Sequence, residues 1–290
     1  MDVSKTFLKA KNPCADGFRW FLRHHPEGHG YQELLDALVA EGRVEDACWL
    51  LAQFGPTTAV RRLERLSAET VVFAGTLEVA RDIDVGGLLR AGRDIRAGGA
   101  IRVGRALVAG DSIVAGGEIE AASVEAGGDL QAVAIQAEAG VRVGARLRCM
   151  RELVCRLDLD VGAQANVGGM LVAQGAVRVG RSLHVRGELR SGGDLRAGDG
   201  VLGGADIVCG AHLDAGWGIK AGGDMHARGA IRAGESLQAL GEIRAGAGYG
   251  VYAGLCVPRE DWAASARVTA RDKPEQLLSG CWVQGEQAWE

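Results

Sequence analysis

Ile95-Arg-Ala-Gly-Gly-Ala-Ile101-Arg-Val-Gly-Arg-Ala-Leu107-Val-Ala-Gly-Asp-Ser-Ile113 places an aliphatic residue at every sixth position. Stepping backwards by six gives Leu89, Ile83, Leu77 and Val71. Stepping forwards gives Ile119, then two five-residue steps that align Val124, Leu130, Ile135 and Val141. From Val141 the step of six runs on through Leu159, Val177, Leu195, Leu213 and Ile231 to Tyr249 and Leu255, weakened only at Ala165 and Tyr249. Two residues past each aliphatic stands a small or short one, such as Ala97, Val103, Ala109, Cys149 or Ala221. The residue between is usually polar, as in Arg96, Arg102, Glu120 and Arg178. In–out–in alternation is the period of a strand. Gly usually follows, as at Gly98, Gly104, Gly110 and Gly116, and Gly tolerates the backbone angles of a sharp corner.

Each hexad therefore reads as a three-residue strand and a three-residue corner. Such a strand is unstable alone and must pair with equivalents above and below. The paired Ile/Leu and Ala columns imply a narrow interior, and large aromatics are nearly absent between Thr76 and Ala215. The fold class expected is mainly β: a hexad-repeat solenoid over residues 69–255, with a helical domain over 1–68 and a C-terminal cap over 256–290. If three hexads close a coil, a turn takes roughly 18 residues and there are roughly ten turns.

Two segments carry a resemblance. Leu107-Val-Ala-Gly-Asp-Ser-Ile-Val-Ala-Gly-Gly-Glu-Ile119 resembles bactofilins, bacterial cytoskeletal proteins that form polymers. Ile95–Gly104 and Ile219-Lys-Ala-Gly-Gly-Asp224 are similar to the solenoid of flagellar assembly protein A. The resemblance covers residues 71–255 and implies a right-handed, three-sided helix, a cytoplasmic location and no catalysis. Left-handed hexapeptide acyltransferases are the competing class. In those enzymes the small residue precedes the aliphatic by two, and here it follows by two.

The ends read differently. Asn12-Pro13 offers an N-cap and a first-turn Pro to a helix carrying Phe18, Phe21 and Leu22. Tyr31, Leu34, Leu35, Leu38 and Val39 mark a second helix, stopped near Gly42. Val44, Ala47, Cys48 and Leu51 mark a third, stopped by Gly55-Pro56, and Val60, Leu63 and Leu66 are spaced for a fourth. After Leu255 the aromatic-rich tail, with strands expected over Arg267–Ala270 and Cys281–Gln284, reads as a cap, which a solenoid needs because an open coil bares strand edges.

Candidate sites are few. His24, His25 and His29 suggest a metal, but they surround a Pro/Gly turn with no Cys at standard spacing, so a solvated loop is expected. His184 and His226 take outward positions and His212 a corner, with no carboxylate at fixed spacing to make any of them a base. Cys149, Cys155 and Cys209 fall on the inward small position as core fillers, and Cys14 and Cys48 lie on apolar helix faces. Gly246-Ala-Gly-Tyr-Gly250 is no phosphate loop, and the helix opening Glu45-Asp46 is too acidic for a recognition helix. The outward Arg residues are interspersed with acids, and Thr ladders are absent.

A formal net charge of −4 gives no drive towards nucleic acid. Seven scattered Cys without a CxxC pair, no export signal and no long apolar run fit reduced thiols in the cytosol. The expectation is a non-enzymatic scaffold without catalytic, cofactor or metal site. Its partners are proteins or further copies of itself, with no nucleic acid, small-molecule substrate or membrane association. A bactofilin-like filament and a hexapeptide acyltransferase are the alternatives.

Overall fold

A computed structural model describes residues 2–3, 5–24 and 29–284. The chain is a parallel β-solenoid of about 12 turns with four helices at its N-terminal end. Closure comes from three hexads. Leu159 pairs with Val177, and Val177 with Leu195, each 18 residues on. Three columns of strands result. Face one climbs from Leu66 through Ile83, Ile101 and Ile119 to Ile243. Face two climbs from Val71 through Leu89 and Leu107 to Val251 and Leu277. Face three climbs from the strand Val60–Leu63 through Leu77 and Ile95 to Val268 and Trp282. The two five-residue steps shorten one coil: Ile119 pairs with Ile135 after 16 residues, and the strand Ile119–Ala126 runs on round its corner.

The inward columns make one continuous core from Phe73 to Ala270. Ile83, Leu89, Ile95, Ile101 and Leu107 are wholly inaccessible, and the second inward place is filled by Ala, Val or Cys except at Phe73, Ser191 and Gly203. Each buried Leu or Ile contributes roughly 1.5–3 kcal/mol of transfer free energy. That burial, repeated turn after turn, offsets the entropy of ordering very short strands.

The corners correct one expectation. Positive φ occurs at only five described glycines, Gly42, Gly55, Gly248, Gly254 and Gly280, none in the regular corners. Glycine is there because stacked corners touch: a Cβ on Gly180 would lie 2.1 Å from the Gly162 carbonyl oxygen. At the corner after face two, between Ala74 at the base and Cys256 at the top, the column is glycine in every coil: Gly92, Gly110, Gly127, Gly144, Gly162, Gly180, Gly198, Gly216 and Gly234. The other two corners admit Met150, Arg156, Gln174 and Arg186.

A second device holds the corners. The residue just before each inward aliphatic gives its carbonyl to the turn below, as when Ile83 N–H donates to Ala100 O. Its own N–H then needs another acceptor, and the equivalent side chain one turn down supplies it. Ala100, Ser112 and Asp129 N–H donate to Asp82, Asp94 and Ser112 in this way at 2.9–3.1 Å. Ala176, Asp224 and Glu242 N–H do the same to Asp158, Asp206 and Asp224 at 2.8 Å. His212 joins the series by accepting from Ala230 N–H through Nδ1 at 3.1 Å.

Asp129 and Asp158 are held below the usual carboxylate range, Asp129 chiefly by its bond from Arg146 and Asp158 chiefly by the Ala176 N–H. A carboxyl lowered on folding stabilises the fold at pH values above its unfolded pKa of about 3.9. That contribution is lost as pH falls through the lower folded value. Melting temperature is therefore expected to drop below about pH 4. Asp158→Asn, which keeps an acceptor for Ala176 but not the charge facing Arg178, should flatten that part of the pH profile measured by circular dichroism.

The two ends depart from the sequence reading. Val60–Leu63 and Leu66–Ala68 are strands, not a fourth helix. Their pairing with Thr76–Val79 and Ile83–Val85 overrides the helical spacing of three apolar residues. At the other end Tyr249 and Leu255 are not inward but 46% and 55% exposed. Val251 takes the inward place above Ile231, because the turn through Gly248 at φ 81° adds two residues to that coil. The tail then stacks strands Arg267–Thr269, Leu277–Ser279 and Cys281–Trp282 on the regular coils.

Candidate functional site

The helices are α1 (Lys5–Ala10), α2 (Ala15–His24), α3 (Tyr31–Ala40) and α4 (Val44–Phe54). Asn12 does not cap α2: it sits at φ 51°, three residues before the true start at Ala15. Cys14 replaces it, its sulfur accepting from Gly17 N–H at 3.2 Å and its carbonyl from Phe18 N–H at 3.0 Å. Apolar stripes turn Leu8, Trp20, Phe21, Leu34, Leu35, Leu38, Ala47, Leu50 and Leu51 into a second core.

That core is continuous with the solenoid. Val72 and Ala74, on the first coil, are 1% exposed beneath the helices. Gln32 of α3 makes the join. Its amide nitrogen donates to Val72 O at 3.0 Å, and its amide oxygen accepts from Ala74 N–H at 2.8 Å. Gln32 thus occupies the place of the strand that face two lacks below Val71–Phe73. Tyr31 OH adds a bond to Gly55 O at 3.0 Å, and burial drives its pKa upwards.

Between α1, α2, α3 and α4 lies a cavity of about 390 Å³. Its walls are Leu8, Trp20, Phe21, Leu34, Leu38, Trp49 and Leu50, with Cys14, Glu45 and Asp46 among its polar lining. Arg43 fixes the rim: it donates to Asp46 at 2.7 Å and to Asp16 at 2.9 Å, and its guanidinium lies 5.8 Å from the Trp20 ring centre. Trp20 in turn donates from its indole nitrogen to Glu41. Among the described residues Glu45 has no ion-pair partner, and Trp49, one helical turn on, is only half-buried.

The remaining candidates disperse. His24 Nδ1 faces Trp20 O at 3.0 Å, His25 lies outside the described residues, and only the backbone of His29 is described. Among the described residues no three His, Cys, Asp or Glu are grouped to hold a metal. His184 stands between Asn166 and Leu202 on face three, and His226 between Val208 and Arg244 on face one. Cys149, Cys155 and Cys209 are buried on the inward small column. Their thiols donate to backbone carbonyls, Cys149 to Glu152 O at 3.1 Å and Cys209 to His212 O at 3.2 Å. Burial pushes Cys149 up to about 11 and Cys155 to about 12, so neither is a thiolate at neutral pH. On face two Arg178 does stack on Arg196, but Asp160 and Asp214 bracket the pair, and Arg178 lies 3.2 Å from Asp160. The cavity among the helices was not legible in the sequence: α1, which contributes Leu8, is six residues long and carries no heptad-length pattern.

These features define a class: a hexad-repeat β-solenoid with a helical domain locked to its first coil. A family model, the YdhT N-terminal domain, matches residues 1–54. The match ends with α4 and includes none of the solenoid. No curated protein and no solved structure matches the chain. Among the described residues no helix is long and apolar enough to cross a membrane.

Proposed function

We propose that the chain is a non-enzymatic scaffold: the solenoid is a stiff spacer and the helical domain its docking module. The observation that carries this reading is the 390 Å³ apolar cavity with Trp49 and Glu45 at its accessible side, held on the rod through Gln32. Concave apolar sites with a few polar groups are where partners' side chains anchor, and buried Trp contacts dominate such interfaces. The cavity suits an apolar anchor next to a basic residue that meets Glu45.

The test compares two baits in affinity capture from the native cell extract, the full chain and the Trp49→Ala/Glu45→Lys variant. A protein captured in stoichiometric amount by the first and lost by the second supports docking at the cavity. Identical captures, with both baits showing the same melting curve, overturn it.

A second reading is filament growth through the solenoid ends, as in the bactofilins that the repeat resembles. It is favoured by the N-terminal end. Leu63, Leu66 and Val71 are only partly buried there, whereas Val79, Ile83 and Leu89, in register one coil above, are at most 3% exposed. The strands Val60–Leu63 and Leu66–Ala68 each pair on one side only, and bare strand edges recruit further strands. Concentration-dependent growth in light scattering is the outcome that would favour this reading over the capped rod.

A further inference from the structure

The corner after face two carries one large aromatic in the open. Trp217 is 55% exposed. Its place in the stack is fixed by backbone bonds between successive coils. Trp217 N–H donates to Asp199 O at 3.0 Å, and Glu235 N–H donates to Trp217 O at 3.2 Å. Asp199, Trp217 and Glu235 therefore form one vertical column, with neighbouring residues about 4.8 Å apart. Arg181 lies one coil below Asp199, and Gly254 N–H closes the column above by donating to Glu235 O at 2.8 Å. Leu255, also 55% exposed, follows directly.

Three features suit this column to a ligand. First, the carboxylates are free. Asp194 and Asp214, on neighbouring strands, hold Arg196 at 2.8 Å and Arg232 at 3.3 Å. Among the described residues Asp199 and Glu235 have no cation within ion-pair distance. Second, the aromatic sits between the two acids. A cation over an indole face is attracted by the ring's quadrupole, and carboxylates on either side add charge-assisted bonds. Third, Asp199 and Trp217 each follow a glycine, Gly198 and Gly216, as residues do along this corner, so backbone without side chains borders the column there and a partner chain can approach closely.

We propose that Asp199, Trp217 and Glu235 are a docking surface for an arginine-bearing segment of a partner protein, with Leu255 receiving an adjacent apolar side chain. Arginine is preferred to lysine. Its planar guanidinium can lie on the indole while its five N–H donors reach towards a carboxylate on each side, and an ammonium offers neither the plane nor the spread. This surface is separate from the cavity among the helices, so the two assignments fail independently.

The probe is a fluorescein-labelled peptide with two arginines flanking a leucine on a glycine–serine background, titrated with the full chain and followed by anisotropy. Saturable binding is expected, weakened about tenfold or more by Trp217→Ala and by the pair Asp199→Asn/Glu235→Gln. The pair Glu118→Gln/Glu138→Gln removes equal charge elsewhere and should change affinity less than twofold. Trp217→Phe should retain part of the affinity, the lysine peptide should bind more weakly, and Trp49→Ala should bind as the parent does. Absence of saturable binding, or an equal loss in the Glu118/Glu138 control, overturns the proposal. Trp217, Glu235, Glu118 and Glu138 are exposed and Asp199 and Trp49 half-buried, so each variant is first checked for a melting curve matching the parent's. A variant that fails that check is replaced by Trp217→Gln, which keeps a side chain of similar reach without the ring.

Discussion

Gly180→Val is expected to destabilise the chain by about 3 kcal/mol, the upper end of the range for forcing atoms into a filled space. A Cβ at position 180 would lie 2.1 Å from Gly162 O, and the next corner presses from above, where a Cβ on Gly198 would lie 2.1 Å from Gly180 O. Both obstacles are backbone, which cannot swing aside as a side chain can. Relief requires the coil to move outwards, and that stretches bonds such as Gly180 N–H to Val161 O at 2.8 Å and Gly198 N–H to Val179 O at 3.0 Å. Met150 and Arg186 show that the corner after face three accommodates side chains. The unbroken glycine column after face two marks the corner that does not. Gly200→Ala is the control, because its Cβ would meet only Gly218 O, at 3.2 Å. Thermal melts should separate the two by several degrees, since a change of 1 kcal/mol moves a chain of this size by roughly 2–4 °C. Equal melting of Gly180→Val and the parent would mean that this corner relaxes as readily as the one at Arg186.

The same glycines show how far the sequence could be read. The in–out–in hexads were legible because a core two side chains wide leaves no latitude: Ile95, Ile101, Leu107 and Ile113 are each inaccessible. The closure of the coil was not, since a six-residue period is the same for any number of sides, and only pairings such as Leu159 with Val177 fix three. Glycine announced the corners, but its reason lay in contacts 18 residues away that no local window contains. The side-chain ladder escaped notice because Asp, Ser and His share its places, and because acceptor and donor again stand a full coil apart. Val60, Leu63 and Leu66 were misread for the converse reason: a short apolar run satisfies a helical spacing by accident, and strand partners decide it. The docking features followed the same rule. Trp49 is a helix residue like its neighbours until α1 and α2 close a cavity beside it. Trp217 gains meaning only when Asp199 and Glu235 are stacked below and above it.

Gln32→Ala is expected to cost about 2–6 kcal/mol and to release the helical domain from the rod. Gln32 pairs two backbone groups at once, Val72 O at 3.0 Å and Ala74 N–H at 2.8 Å, and both residues are 1% exposed. Leaving a buried donor or acceptor unpaired costs about 1–3 kcal/mol for each group, so the two together rival the destabilisation at Gly180. Gln32→Glu tests whether the pairing, rather than the volume, matters. A carboxylate still accepts from Ala74 N–H, but it sets an anion against Val72 O, so this variant should resemble alanine more than the parent. The readout is amide hydrogen exchange. In the parent Ala74 and α3 should exchange with the protection of the first coil, because they belong to one hydrogen-bonded assembly. In Gln32→Ala, Ala74 and the helices 5–54 should exchange far faster, while coils from Leu153 onwards keep the parent's rates, as expected of a solenoid in which each coil contacts only its neighbours. Uniform loss of protection along the whole rod would show instead that helices and solenoid unfold as one unit, and that Gln32 anchors the entire chain.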